Sequence, residues 1–102
     1  MLKVEFLNPG EIRMGSPFNE CGLQLSGDWI PNLGTHEWQD ITASSPDQRF
    51  VALVYWNNSG NRPGFHLVTV DCLSKIVTTS ERISGCCTSV KWLGNGFRPE
   101  VF

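Results

Sequence analysis

Phe50-Val51-Ala52-Leu53-Val54-Tyr55-Trp56 is apolar at every position. A strand with one face in water alternates. A run without alternation reads as a strand covered on both faces, in the middle of a sheet. It is the longest apolar run in the chain. Its seven residues fall far short of the roughly 20 that a membrane-spanning helix needs, so no such span is predicted. Ser44-Ser45-Pro46-Asp47-Gln48 precedes it as a strong turn, with proline and aspartate both favoured there. Asn57-Asn58-Ser59-Gly60-Asn61-Arg62-Pro63-Gly64 follows as the most flexible loop of the chain. Residues 65–71 then read as a second central strand.

Outward from this pair the pattern stays β. Residues 72–75 turn, and 76–80 form a Thr-rich, more exposed strand. Residues 87–93 alternate, with Val90 and Trp92 opposite Ser89 and Lys91, and Gly94-Asn95-Gly96 turns into 97–102. Pro99 marks that last run as an edge strand. At the other end Leu2, Val4 and Phe6 share a face. Asn8-Pro9-Gly10-Glu11 suits a type II turn, and Ile12 and Met14 resume the apolar face as a hairpin. Residues 15–20 read as loop and 21–25 as strand. Ser26-Gly27 reads as a two-residue hairpin turn with 28–30 returning, 31–35 as loop, and 37–43 as a strand carrying Trp38 and Ile41. With only two alanines and three lysines, no helix of two turns is predicted. About ten short strands follow, in one domain over residues 1–102. The expected fold is an all-β antiparallel meander in two packed or strongly curled sheets.

The chain has 102 residues and a net charge of −2. Its basic residues are scattered, so the electrostatic footprint of a nucleic-acid binder is missing. No basic segment followed by an apolar one opens the chain, and a cytoplasmic location is expected. Cys21, Cys72, Cys86 and Cys87 then read as reduced thiols. No Cys-x-x-Cys pair exists, so neither a metal site nor a cofactor is expected.

Two resemblances appear. Ser45-Pro46-Asp47 leading into Phe50-Val51-Ala52-Leu53 resembles the Ser-Pro-Asp-Gly turn of TolB-like and WD40-like propeller blades. Gln48 stands where that turn has glycine. Residues 65–71 resemble the next blade strand, and Ser89-Val90-Lys91-Trp92 the inner strand of a following blade. This implies blade-like local sheets but no closed propeller, which needs at least about four blades. In its short length, β-rich order and mild acidity the whole chain resembles small immunity proteins of bacterial contact-dependent growth inhibition and polymorphic-toxin systems. That resemblance implies a stoichiometric inhibitor of one cognate toxin, often a nuclease.

No catalytic constellation emerges. There is no Gly-x-Ser-x-Gly. His66 lies within a strand, on the opposite face from Asp71, and reads as a histidine accommodated by packing. Glu37 and Asp40 flank Trp38 near His36, but their odd spacing places them on opposite faces of a strand. The chain is therefore expected not to be an enzyme. Most of Trp29, Trp38, Trp56 and Trp92 should be core, although tryptophan is also enriched at interface hot spots. Acid stands beside indole twice around the loop 31–36. Asp28, Trp29, His36, Glu37, Trp38 and Asp40 are accordingly the candidate partner-binding residues. The expected partner is a protein toxin, not nucleic acid or membrane, with the chain a monomer when free. The alternative is a small assembly module pairing through open strand edges, with 76–80 as candidate edge.

Overall fold

A computed structural model describes residues 2–11, 19–58 and 62–102. They form nine strands: β1 Lys3–Glu11, β2 Asn19–Ser26, β3 Trp38–Ser44, β4 Phe50–Trp56, β5 Gly64–Asp71, β6 Ile76–Thr79, β7 Ile83–Ser84, β8 Cys87–Trp92 and β9 Phe97–Val101. All pairings are antiparallel. β1 to β6 lie in chain order, β7 pairs with β5 beside β6, and β8–β9 form a separate two-stranded sheet. Among the described residues no helix is long and apolar enough to cross a membrane.

β4 sits at the centre of this order, and its two faces carry two cores. Register pairs Val51 with Val70 and Leu53 with Val68 on one face, and Ala52 with Thr69 and Val54 with Leu67 on the other. The first face is buried together with Leu2, Cys21 and Trp38, and Val4, Phe6, Leu23 and Leu25 of the β1–β2 hairpin pack onto it. The second gathers Ala52, Val54 and Phe65 with Cys87 and Val90 of β8, against Phe97 of β9. The continuous apolar run thus reflects a sheet covered by one hairpin on each side.

The hairpin ends are fixed by polar contacts. Ser45 Oγ donates to Asp47 Oδ1 at 2.6 Å and accepts from Phe50 N–H at 3.0 Å. Gln48 N–H donates to the Ser45 carbonyl at 2.9 Å. Gln48 adopts φ 66°, the left-handed conformation that glycine takes most easily. Across the next strand Arg49 donates twice to Asp71, Nε to Oδ1 at 3.0 Å and Nη2 to Oδ2 at 2.9 Å. This bidentate geometry holds the Asp71 carboxyl well below its ordinary range, against the opposing effect of desolvation.

Several expectations change. Residues 8–11 are not a turn: β1 continues through them to Glu11. The register slips by one between Leu7↔Gly22 and Gly10↔Glu20, which is a β-bulge. β1 is an edge strand, the place where proline is tolerated because its missing N–H faces no partner. The expected return strand at Ile12 and Met14 lies outside the described residues. Ser26-Gly27 does not close a hairpin either, since β2 already pairs with β1 and residues 27–37 run as an irregular connection to β3. Among the described residues nine strands stand against the expected ten: the strand expected at 28–30 is absent, the one at Ile12 and Met14 lies outside them, and β7, Ile83–Ser84, was not expected. The antiparallel meander is as expected, but its sheets are not closed and are not strongly curled in the manner expected of propeller blades.

Candidate partner-binding site

Residues 27–37 carry or adjoin all six candidate residues. Gly27 and Gly34 adopt φ 141° and 75°, and Gly34 N–H donates to Asn32 Oδ1 at 3.2 Å. Pro31 is buried, and Trp29 and Leu33 pack against the first core. The far end is tied to the sheet by Trp56 N–H donating to the Glu37 carbonyl at 2.8 Å. A connection of this length without secondary structure is held by its own inward residues, while its polar ones stay outside.

Residues 30–34 of the connection, Asn32 and Gly34 included, line an open hollow of about 240 Å³ with Leu23, Leu25 and Trp38. Ile30 is 56% exposed at its rim. Asp28, His36, Glu37 and Asp40 are all exposed. The two tryptophans follow the expectation that most indoles are core. Trp29 is half-buried against the core, and Trp38 is only 3% exposed. Trp38 therefore floors the site, and a partner reaches little of it.

An aromatic ladder adjoins the hollow. His36 stacks on Tyr55 with ring centres 3.8 Å apart and 13° between planes, and Tyr55 stacks on His66 at 4.9 Å and 23°. Trp38 stands edge-on to both His36 and Tyr55, at 5.5 and 5.4 Å. His66 Nδ1 is 2.8 Å from the Ser80 carbonyl, which only accepts. The hydrogen therefore sits on Nδ1, leaving Nε2 to accept from Asn57 Nδ2 at 2.7 Å. This fixes the third ring and, through it, the tyrosine beneath His36.

Tyr55 and His66 were not among the sequence candidates. They follow from the β4–β5 register, which pairs Tyr55 with His66, and the closure of the hairpin at Asn57 and Gly64 was the available signal. His66 and Asp71 serve separate networks, as their spacing suggested. The alternation assumed for Glu37 and Asp40 does not apply. From Trp38 to Thr42 β3 takes four steps while β4 takes two, from Tyr55 to Leu53, so the strand bulges between Trp38 and Thr42.

Among the described residues no group of three or more His, Cys, Asp or Glu side chains is placed to hold a metal ion. Burial pushes the Cys87 thiol up to about 11 and raises that of Cys72, the opposite of what a nucleophilic thiolate requires. Comparison with protein-family models, curated proteins and solved structures returns no match to this chain.

Proposed function

We propose that this chain is a non-enzymatic, cytoplasmic protein-binding inhibitor. It neutralises a cognate bacterial toxin, in the manner of an immunity protein, by covering the toxin's active site. The observation that carries the reading is the projecting connection 27–37. It carries exposed Asp28, His36 and Glu37, with exposed Asp40 in β3, and its residues 30–34 line an open hollow together with Trp38. Carboxylates on a well-supported loop suit a basic surface such as a nuclease's phosphate-binding cleft. They accelerate encounter and exclude wrong partners. Ile30 and the hollow supply the apolar contact that slows dissociation.

The test is recovery of a partner from the native host, followed by association kinetics with the purified partner. The expected result is a toxin recovered in stoichiometric amount. Glu37→Lys should then slow association by on the order of tenfold at low salt, and added salt should shrink the difference. Recovery of the chain alone, or identical kinetics for Glu37→Lys, overturns the reading.

A further inference from the structure

β6 ends the large sheet, and every one of its residues is exposed. Ile76 and Val77 are 57% and 38% exposed, so apolar side chains accompany a backbone edge that is open among the described residues. Which backbone groups are open follows from alternation. Ser80 N–H donates to the Leu67 carbonyl at 2.9 Å, and on the other side of β5 Cys72 N–H donates to the Arg49 carbonyl at 2.8 Å. In an antiparallel ladder successive residues direct their N–H and C=O groups to opposite sides. With Ile76 opposite Asp71 and Thr78 opposite Thr69, these two residues bond to β5. Val77 and Thr79 then aim their amides and carbonyls away from the protein.

We propose that β6 pairs with β6 of a second copy of this chain, antiparallel about a two-fold axis at Thr78. In that register Val77 of each copy lies opposite Thr79 of the other. Both residues are of the outward set, so each pair exchanges two N–H···O=C bonds. The neighbouring positions select this register over its alternatives. Exposed Lys75 precedes the strand, and exposed Glu81 lies just past it. Centring on Thr78 brings Lys75, the left-handed last residue of the β5–β6 turn, within side-chain reach of Glu81 of the other copy, just beyond both ends of the new pairing. Shifting the axis to Val77 sets Lys75 opposite Thr79, and shifting it to Thr79 sets Glu81 opposite Val77. Both alternatives lose the charge match. The side chains of Val77 and Thr79 meet on one face, and those of Ile76, Thr78 and Ser80 on the other.

So short an edge buries less than the roughly 1,200–2,000 Å² of a standard interface. The pair is therefore weak and concentration-dependent, in place of a strict monomer. It does not involve the 27–37 connection: Glu37→Lys leaves it unchanged, so the two proposals fail separately.

The test is sedimentation equilibrium of the full chain from micromolar into millimolar concentration, with folding followed by circular dichroism. The expected result is a mass rising from monomer toward dimer. Val77→Pro removes an outward N–H that β5 does not use, so it should keep the fold and abolish the rise. Glu81→Lys should weaken association by about tenfold through two like-charge pairs, and Lys75→Glu combined with Glu81→Lys should restore it. If Val77→Pro disturbs folding, the charge-reversal pair decides. A mass that stays monomeric throughout, or association indifferent to Glu81→Lys, overturns the proposal.

Discussion

Replacing Gly64 by alanine should destabilise the protein, and the same replacement should stabilise it once Arg82 is gone. Gly64 opens β5, is buried, and is not among the residues with positive φ. Its backbone therefore suits alanine, and the entropy removed from the unfolded chain would by itself favour alanine by about 0.4–1 kcal/mol. The obstacle is the Arg82 guanidinium. A methyl group at Gly64 would stand 2.6 Å from Arg82 Nε and nearer still to Cζ. That guanidinium donates from Nε to the Asn57 carbonyl and from Nη2 to the Arg62 carbonyl, both at 2.9 Å. It thereby clips the two sides of the β4–β5 loop to the residue preceding β7. A hydrogen bond to a charged group contributes about 1.5–3 kcal/mol. These two bonds are solvent-exposed, which roughly halves their worth, so the pair together contributes about 1.5–3 kcal/mol. Evicting the side chain, offset by the entropy gain, leaves a net loss of about 1–2 kcal/mol. At a urea slope of about 2 kcal/mol/M this lowers the unfolding midpoint by about 0.5–1 M. In the Arg82→Ala background no guanidinium is displaced, and Gly64→Ala should raise the midpoint. The double-mutant cycle reads a coupling of about 1.5–3 kcal/mol. Equal shifts from Gly64→Ala in both backgrounds would refute the reasoning.

Two further outcomes follow from the charged and thiol groups. Arg49 holds the Asp71 carboxyl below its ordinary 3.8. A depressed carboxyl adds stability that is fully present above the unfolded value and is lost as pH falls toward the folded one. The melting-temperature gap between wild type and Asp71→Asn should therefore be widest near neutrality and narrow below about pH 3.8; a gap that widens on acidification contradicts this. Cys87 is fully buried with its thiol pushed up to about 11. Peptide mapping after iodoacetamide treatment at pH 7.5 should find it unmodified until urea unfolds the chain, and prompt native labelling would count against the packing of β8 on the sheet.

How much of this was legible beforehand depends on what each residue's neighbours decide. The central pair was legible because Phe50–Trp56 has no polar face, which is a property of the run itself. The 45–48 turn was legible for the same local reason. Pro9-Gly10 was not. Its residues fit a turn and fit a bulge on an edge strand equally well, and only the pairing of β1 with β2 separates the two. Likewise Ser26-Gly27 reads as a hairpin turn until β2 is known to have its partner on the N-terminal side. At the candidate site the charged residues are exposed as expected, because charge stays in water without help. Trp38 and Tyr55 depend on a cross-strand register disturbed by two extra residues in β3. The His36–Tyr55–His66 ladder brings together residues from three segments, and no local pattern announces such a meeting.

β2 touches β3 through a single paired position, Cys21↔Trp38, reinforced by Cys21 Sγ donating to the Trp38 carbonyl at 3.3 Å. By contrast β4 and β5 are paired along their whole length. The N-terminal hairpin is thus held to the large sheet by one backbone pair and otherwise by side-chain packing on the first core. Amides of β1 and β2 should exchange with solvent through a partial opening that lifts this flap, while those of β4 and β5 wait for global unfolding. Such an opening would bare Val51, Leu53, Val68 and Val70 while leaving the other side of the sheet intact. The N-terminal hairpin is therefore where a protease, or a destabilising replacement, would first find purchase.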